Sequence, residues 1–378
     1  MKKILITGAG SYVGESVRRY ILAASGDYVI DAVDTMGDAW RKADFSKYDV
    51  VYHVAGIAHV NADPKMEALY YRVNRDLTIE VAKAAKAAGV KQFIFMSSQI
   101  VFHESRSLKT EVLTKETKPA PNGFYGDSKL QAEIGLKKLR GESLELRDES
   151  GKLRDESLEL KDESGKLRGE SLERSELKGE SGKLRDESSL NQNSLSSKLS
   201  SVSSSESSLN QNSLSSKLST LSSSESSPKM KICILRPCMI YGPNAKGNFP
   251  RLAKLATVTP IFPAWHNKRS MLYIDNLAEF VKQAIDRELE GTFYPQNREL
   301  ADTVEIIRFF AKAAGHRVWI TRLFNPLVWL GSFVLQPLNK MFATYYYDPE
   351  MSKMEFEYQL VSFEESLKRV RESLEMKA

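Results

Sequence analysis

Short apolar runs alternate with stretches of helical periodicity on both sides of the middle of this chain. Five runs are predicted strands: Lys3–Thr7, Tyr28–Asp34, Val50–Ala55, Lys91–Ser97 and Lys231–Arg236. Three helices are predicted between them: Tyr12–Ala24, Met66–Ala88 and Phe124–Leu139. Because strands that alternate with helices are joined by right-handed crossovers, the pattern predicts an α/β fold built on a doubly wound parallel sheet.

Residues 139–228 interrupt this pattern with low-complexity sequence. Half of residues 189–228 are serine, and no aromatic residue occurs between Leu139 and Pro228. Such a segment cannot bury enough apolar area to offset about 1–2 kcal/mol of backbone entropy per residue. We therefore predict a disordered insertion, with a partly helical spacer as the alternative.

Composition limits the class of protein. The chain has 54 Lys and Arg against 49 Asp and Glu, an excess too small and too scattered to indicate nucleic-acid binding. Its two cysteines, Cys233 and Cys238, provide no disulfide framework and favour a reducing compartment. No apolar stretch reaches the ~20 residues that span a bilayer, and the start lacks a signal-peptide core. We expect a cytoplasmic protein.

The apolar run Leu323–Phe342 contains Trp329, Phe333 and Leu338. We expect it to pack into a small C-terminal domain. The alternative is an amphipathic surface that meets a membrane or a partner.

A glycine-rich turn follows the first predicted strand and opens the first predicted helix. Its members are Gly8, Gly10, Ser11, Tyr12, Val13 and Gly14. Glycines at this place let the backbone approach a pyrophosphate, which then lies at the helix N-terminus. This predicts a dinucleotide site in a Rossmann-like sheet, with a plain tight turn as the alternative.

Two carboxylates follow this turn at informative places. Asp34 closes the second strand, where a carboxylate accepts hydrogen bonds from a ribose 2′-OH and repels a 2′-phosphate, so NAD is favoured over NADP. Asp31 competes for this role but lies within the strand. Asp44 is expected to meet the adenine, with a solvated loop carboxylate as the alternative.

Tyr125 and Lys129 lie four residues apart in a predicted helix, and therefore on one face. An ammonium near a phenol lowers the pKa of the phenol, which then exchanges a proton with a sugar hydroxyl. Ser98 follows the strand that ends at Ser97, and strand C-termini face the ligand crevice of a doubly wound sheet. The three residues predict a catalytic set.

With these motifs the chain resembles the extended short-chain dehydrogenase/reductases. More narrowly, it resembles the NAD-dependent epimerase/dehydratase family, near the UDP-glucose 4-epimerases and related surface-polysaccharide enzymes. The motifs occur in the order of that family: Thr7-Gly8 to Gly14, His53-Val54-Ala55-Gly56, Asn74, Ser98, Tyr125 with Lys129, Leu235-Arg236-Pro237 and Arg269 to Asp275. They cover the flanks and not the insertion.

The resemblance implies roles for further residues. Tyr125 is then the general acid/base, Lys129 holds it and the ribose, and Ser98 assists and contacts substrate. Ala55, Gly56, Asn74 and Pro237 join the NAD site. Arg269 binds the nucleotide diphosphate, and Asn248 and Arg251 touch the nucleotide, with surface side chains as the alternative. No metal site is implied.

The resemblance also implies a domain organisation. Residues 1–138 are the first part of the NAD-binding domain, and 139–228 are the insertion. Residues 229–378 interleave the remaining sheet with a small substrate-binding domain. A UDP-linked nucleotide sugar is the expected partner, a homodimer is compatible with the family, and nucleic acid is not expected.

The chain departs from the family pattern at three places. Ser11 stands where the family has glycine, which leaves the turn geometry open. Gln99 and Ile100 replace the acidic pair of the dehydratases, so dehydration is not expected. Cys238-Met239 replaces an asparagine of the best-known epimerases.

We therefore expect an NAD-dependent nucleotide-sugar 4-epimerase of surface-polysaccharide biosynthesis. A 4-keto-sugar reductase or dehydrogenase uses the same side chains and is the alternative. A dinucleotide-binding sensor without activity is disfavoured by the intact catalytic set.

Overall fold

A computed structural model describes residues 1–58, 63–105, 107–141 and 229–375. The described residues on the two sides of the predicted insertion form one compact unit. Residues 142–228, which include most of the insertion predicted to be disordered, lie outside the described residues.

The central sheet has six parallel strands. They are β1 (Lys2–Thr7), β2 (Tyr28–Val33), β3 (Val50–His53), β4 (Gln92–Met96), β6 (Lys231–Leu235) and β10 (Gly291–Phe293), in the order β10-β6-β4-β3-β1-β2. The predicted doubly wound α/β fold is confirmed, and the five predicted strands agree within two residues at either end. Because the chain passes from β2 back across β1 to reach β3, the winding reverses between β1 and β3. Loops diverge at such a switch point and leave a crevice at the strand C-termini.

Ten α-helices are described. They are α1 (Tyr12–Ala24), α2 (Glu67–Tyr70), α3 (Leu77–Ala87), α4 (Phe124–Arg140), α5 (Asn248–Val258), α6 (Ile274–Asp286), α7 (Thr303–Ala313), α8 (Asn325–Ser332), α9 (Gln336–Phe342) and α10 (Phe363–Glu375). The single helix predicted over Met66–Ala88 is divided, since a π-helical turn, Tyr71–Asp76, separates α2 from α3. Turns of this kind often accompany functional sites because they redirect side chains out of the regular helical pattern.

Alternation along the strands produces two apolar layers, one on each face of the sheet. Leu5, Val51 and Phe93 face the layer that contains Ala132 and Leu136 of α4. Their strand neighbours belong to the opposite layer, which extends into the C-terminal part of the chain: Ile4, Ile6, Val50, Tyr52 and Ile94. Both faces are therefore covered, as a parallel sheet requires.

Short strands outside the main sheet build the C-terminal part. They pair as β7 (Met239–Tyr241) with β9 (Met271–Tyr273), β8 (Ile261–Pro263) with β11 (Trp319–Thr321), and β5 (Glu111–Leu113) with β12 (Tyr345–Tyr347). The backbone of Arg269 bridges to both Ala301 and Tyr345. These bridges fix Arg269 where the small sheets meet.

Helices α8 and α9 correct one expectation. Val328 and Phe342 are buried, as expected of a segment that packs into the C-terminal domain. However, Leu327, Phe333 and Val334 are more than half exposed, so the other side of this segment does not pack on the described residues. In the part of the chain that the structure describes, we find no helix with the length and apolar character needed to cross a membrane.

Candidate active site

The glycine-rich turn joins β1 to α1 at the switch point. Gly8 has φ +112°, and its N–H donates to the carbonyl of Val33. A Cβ at Gly8 would lie 2.8 Å from the amide nitrogen of Ala55, so no side chain fits between the two loops. A Cβ at Gly14 would lie 2.7 Å from Ser11 Oγ and within 3.2 Å of side chains from β1 and the loop after β3. Gly14 therefore lets α1 approach the sheet.

Ser11 resolves the open question about the turn. Its φ of −71° and ψ of 142° are ordinary for any residue, and its Oγ accepts from the Gly14 N–H at 3.2 Å as the N-cap of α1. Gly10, with φ +74°, takes the left-handed conformation instead, and no atom lies within 4 Å of a Cβ placed there. The amides of Tyr12 and Val13 lie in the first turn, where a helix provides no acceptor. An open backbone cradle with free amides fits a pyrophosphate.

Asp34 and Asp44 have different environments. Asp34 follows β2, is exposed, and accepts from the Met36 N–H at 2.9 Å. Asp44 accepts from both the N–H and the hydroxyl of Ser46, which holds the pKa of this carboxyl below its usual range. The structure thus gives Asp44 a capping role, while Asp34 stands beside the glycine turn.

Asn74, in the π-helical turn, is fully buried and holds the loop that follows β3. Its Oδ1 accepts from the Ile57 N–H at 2.9 Å, and its Nδ2 donates to the Ile57 carbonyl and to Ser128 Oγ. Because these bonds occupy the amide, Asn74 acts as a positioning residue that links the loop after β3 to α4. Gly56 lies at the same junction, where a Cβ would be 2.9 Å from Lys129 Nζ.

A buried histidine connects the same elements. His53 Nδ1 lies 2.7 Å from Thr7 Oγ1, and His53 Nε2 lies 3.0 Å from Thr78 Oγ1. Since the Thr78 hydroxyl donates to the Asn74 carbonyl, it accepts from Nε2–H, and Thr7 donates to Nδ1. Burial lowers the pKa of His53 to about 3, so the ring is neutral. In the sequence His53 stands out only as part of a motif, and no local pattern indicates these hydrogen-bond partners.

Lys129 is buried behind the glycine loop. Its Nζ donates to the Met96 carbonyl at 2.8 Å and lies 4.8 Å from the centre of the Phe95 ring. Among the described residues, Met96 provides its one hydrogen-bond acceptor, although an ammonium has three donors. Burial lowers the pKa of Lys129 to about 8. The remaining donors fit the ribose hydroxyls expected of this position.

Tyr125 occupies the first turn of α4, beside Ser98. Burial raises the pKa of Tyr125 to about 12, and a hydrogen bond with the Ser98 side chain acts in the opposite direction. The rings of Tyr125 and Tyr70 have centroids 6.0 Å apart, and Glu104 adds a negative charge nearby. The expected lowering of the phenol pKa by Lys129 is therefore not found; the phenol is protonated at neutral pH in this state.

A buried ion pair supports the catalytic helix one turn further on. Glu133 follows Lys129 by four residues and accepts from Arg236 Nη2 and from Ser97 Oγ, both at 2.5 Å. The Arg236 guanidinium also lies over the Phe102 ring. This set ties α4 to the ends of β4 and β6, next to Ser98 and Pro237. Glu133 was not predicted from the sequence, although the four-residue spacing of Tyr125, Lys129 and Glu133 was an available signal.

Arg269 lies two residues before β9, which pairs with β7 just after the C-terminal end of β6. The Gln99 N–H donates to the Pro237 carbonyl at 2.9 Å. The next residue, Cys238, lies close enough to Arg269 to affect the pKa of its guanidinium. Burial lowers the pKa of Arg269, and we find no hydrogen bond or ion pair for its guanidinium among the described residues. A partly buried cation without an anion fits a site for phosphate oxygens.

Cys238 itself is buried, its Sγ donates to the Pro295 carbonyl, and burial raises the pKa of its thiol. It is therefore a structural thiol.

Asn248 and Arg251 lie in the first turn of α5. Both are exposed, and in the described ranges neither side chain makes a hydrogen bond or an ion pair. No contact recorded for these ranges joins either of them to Arg269. Of the sequence-predicted residues, those on the switch-point loops and on α4 come together, and these two do not.

Comparisons with known proteins identify a family model and relatives that this chain resembles. Residues 4–147 match the model of the NAD dependent epimerase/dehydratase family. UDP-glucose 4-epimerase of Vibrio cholerae is 25% identical over 341 residues, which cover 84% of this chain and 77% of that protein. A human UDP-glucose 4-epimerase is 30% identical over 136 residues, which cover 35% of this chain and 38% of the human protein.

Solved structures share the fold. UDP-glucuronic acid 4-epimerase from Bacillus cereus, solved with NAD, has a TM-score of 0.58 at 16% identity and covers 99% of both chains. A dTDP-4-dehydrorhamnose reductase from Bacillus anthracis, solved with NADP, has a TM-score of 0.56 at 16% identity and covers 98% of both chains. Epimerases and reductases therefore have the same architecture as this chain.

Proposed function

Because residues 4–147 belong to the NAD dependent epimerase/dehydratase family, we propose that this protein is an NAD-dependent nucleotide-sugar 4-epimerase acting on UDP-hexoses. One observation carries the proposal. Tyr125 interacts with Ser98 just after the C-terminal end of β4, the glycine cradle follows the C-terminal end of β1, and Arg269, whose guanidinium has no partner among the described residues, lies near Cys238 after β6. We assign the acid/base, cofactor-binding and phosphate-binding functions to these three groups. We place the reaction in cytoplasmic synthesis of surface polysaccharides.

The residues divide the work as follows. Tyr125 exchanges a proton with the 4-hydroxyl of the sugar, and Ser98 hydrogen-bonds the same oxygen, so the sugar passes through a 4-keto state. Bound NAD would supply the acceptor, and later the donor, of the hydride at C4, and its positive ring would favour the phenolate of Tyr125. An epimerase regenerates its cofactor, because the hydride returns to the opposite face of the same sugar.

The cofactor site follows from the cradle. Gly8, Gly10 and the first amides of α1 would hold the pyrophosphate, and Asp34 would accept from the ribose 2′-OH. Lys129 would donate its remaining hydrogens to the other ribose. Asn74 and His53 hold the loops that form this cradle rather than touching the cofactor.

The substrate site rests on Arg269. A guanidinium presents a fork of N–H donors that suits a diphosphate, and this one has no anion in the described structure. Relatives named as UDP-glucose 4-epimerases support a UDP-linked sugar as the substrate.

One observation favours a second candidate, a 4-keto-sugar reductase. The raised pKa of Tyr125 keeps the phenol protonated, which is the state that donates a proton to a carbonyl oxygen. The reductases among the fold neighbours use the same architecture. In this case reduced cofactor is consumed with each turnover.

The test is a nuclear magnetic resonance assay of the purified full-length protein with individual UDP-hexoses. We expect inversion at C4 to reach equilibrium between the two epimers, with no net change in reduced cofactor. Tyr125→Phe serves as the inactive control. Stoichiometric consumption of reduced cofactor with a 4-keto sugar, without interconversion of any UDP-hexose, would establish the reductase instead.

A further inference from the structure

The segment from β11 to α9 has an outer surface unlike the rest of the described chain. Eighteen large apolar side chains are exposed in the described part of the chain, and eight of them lie between positions 319 and 335. They are between 53% and 82% exposed: Trp319, Leu323, Leu327, Trp329, Leu330, Phe333, Val334 and Leu335. We call these eight residues the apolar patch. Scattered apolar side chains are normal on a protein surface, but a concentration of this kind marks an interaction site.

The patch is part of a folded and anchored element. Asn325 Nδ2 donates to the Ala264 carbonyl, and Asn339 Nδ2 donates to the Ser332 carbonyl, which joins α8 to α9. Asn267 Nδ2 donates to the Met341 and Ala343 carbonyls beyond α9. Because the inner side is held by these bonds and by buried Val328, the outward direction of the apolar side chains is fixed by the fold.

The stretch of sequence that contains the patch carries charges of one sign. Between Glu305 and Asp348 the sequence contains five Lys or Arg residues and no Asp or Glu. Four of them, Arg308, Lys312, Arg317 and Arg322, are exposed and form no ion pair among the described residues. Arg317 and Arg322 flank Trp319 in sequence, and Arg322 immediately precedes Leu323. Two cations without ion-pair partners among the described residues, Arg317 and Arg322, are therefore close to the apolar side chains in sequence.

We propose that this surface docks on an anionic lipid bilayer. Apolar and aromatic side chains enter the boundary between headgroups and acyl chains, while Lys and Arg attract acidic headgroups. Charge complementarity and the exposed tryptophans distinguish this occupant from a second copy of the chain, whose patch would carry the same positive charge. Helices α8 and α9 would lie on the membrane surface and not cross it, since each has eight residues or fewer.

Docking would hold the crevice near the membrane. Lys340 of α9 lies 3.4 Å from Glu104, whose charge acts on Tyr125. The element that carries the patch thus reaches the candidate catalytic site through one ion pair. The proposal rests on the surface alone and stands whether the enzyme is an epimerase or a reductase.

The experiment is co-sedimentation of the full-length protein with vesicles of phosphatidylcholine, with and without phosphatidylglycerol. We expect binding to the anionic vesicles, weaker binding to neutral ones, and loss of binding as salt rises. A blue shift of tryptophan emission should accompany binding, because Trp319 and Trp329 enter the interface.

Variants separate the patch from the rest of the chain, including the insertion. Phe333→Ser with Val334→Ser should weaken partitioning at least about tenfold, and Arg317→Gln with Arg322→Gln should remove the preference for anionic vesicles. Met36→Ser with Leu360→Ser, two exposed apolar positions elsewhere, is the matched apolar control, and Lys42→Gln with Lys83→Gln is the charge control. Both controls should bind as the wild type does.

Three results would overturn the proposal. The first is absence of binding to anionic vesicles. The second is binding that survives both patch variants, and the third is self-association in light scattering that requires the patch and occurs without lipid. Turnover of the soluble patch variants, measured on a UDP-hexose, reports on the proposed function independently.

Discussion

At the scale of single residues, the buried charge of Lys129 lowers the stability of the fold and is explained by function. Its ammonium is almost fully buried, donates a hydrogen bond to one carbonyl, and lies over the Phe95 ring. Burial lowers its pKa from 10.5 to about 8, which corresponds to about 3 kcal/mol spent on keeping the side chain charged at neutral pH. A residue that destabilises the fold in this way is explained by a function of its charge.

Lys129→Met should therefore raise the free energy of unfolding at pH 7 by up to about 3 kcal/mol while activity falls. In the wild type the folded state releases the proton near pH 8 and the unfolded state near 10.5. The unfolded state binds more protons between these values, so wild-type stability rises across this window and the advantage of the variant shrinks. Denaturant unfolding at several pH values measures this.

Lys138→Met, at an exposed position of the same helix, is the control and should change stability little. A Lys129→Met protein that is less stable than the wild type at pH 7 would show that the ammonium contributes to folding.

Tyr125→Phe removes the phenol and keeps the ring. Turnover should fall by on the order of 10²–10⁴-fold, because general acid/base groups contribute that much, while cofactor binding is retained. Ser98→Ala should have a milder effect, on the order of 10²-fold. Tyr71→Phe is the matched control, since Tyr71 donates to Asp127 outside the catalytic set. A Tyr125→Phe enzyme with more than about a tenth of the wild-type rate would contradict the assignment.

Sequence spacing predicted which residues meet, but not what each one does. Tyr125, Lys129 and Ser98 could be placed together because helix periodicity and strand ends follow from local pattern. The roles of Asn74 and Asp44 could not, since their partners, Ile57 and Ser46, depend on loop conformations. The raised pKa of Tyr125 depends on burial by Tyr70 and other distant residues, and burial has no local signal in the sequence.

At the scale of elements, the approach of α4 to the turn Gln99–Val101 sets the position of Tyr125. A Cβ at Gly126 would lie 2.5 Å from the Ile100 carbonyl oxygen and 2.9 Å from Pro121 Cβ. Since a backbone carbonyl cannot rotate away, only glycine permits this contact.

Gly126→Ala should push the two elements apart and lower kcat by about 10²-fold, because a shift near 1 Å misaligns the acid/base group. Gly135→Ala, on the same helix, is the matched control. Its Cβ would meet the Cδ1 of Ile79 at 2.4 Å, which is the movable end of a side chain. Kinetics and thermal unfolding of both variants measure the difference. Equal effects of the two substitutions would mean that the Ile100 contact does not position Tyr125.

The five predicted strands followed closely from sequence. Strand limits agreed within two residues because each strand is an apolar run ended by a polar or glycine residue. The π-helical turn was missed because Tyr71–Asp76 keeps helical composition, and only the packing of Asn74 against Ile57 and Ser128 reveals it. The outward side of α8 was wrongly expected to be buried, since hydrophobicity alone does not tell which elements have a partner.

For the whole molecule, the insertion is predicted to be dispensable for catalysis. The described elements on its two sides are the end of α4 and the start of β6, whereas Ser98 and Pro237 follow the C-terminal ends of β4 and β6. Loop length enters stability weakly, by about 0.6 kcal/mol for each doubling.

Replacing residues 142–228 with a short Gly/Ser linker should leave turnover unchanged and stability equal or slightly higher. This deletion keeps Arg140, which pairs with Glu290 at 2.7 Å. Kinetics and light scattering measure the result: altered oligomer size with intact turnover would indicate a role in assembly. A collapse of kcat would show that the segment packs on the enzyme.

The central claim is that this protein inverts a nucleotide sugar with a cofactor that it keeps and regenerates. Purified protein is denatured, the released NAD and NADH are quantified, and turnover of a UDP-hexose is measured in parallel without added cofactor. The account predicts about one dinucleotide per chain, mostly oxidised, together with turnover that needs no supplement. Protein that releases no dinucleotide, and that acts only while stoichiometric reduced cofactor is supplied, would contradict it.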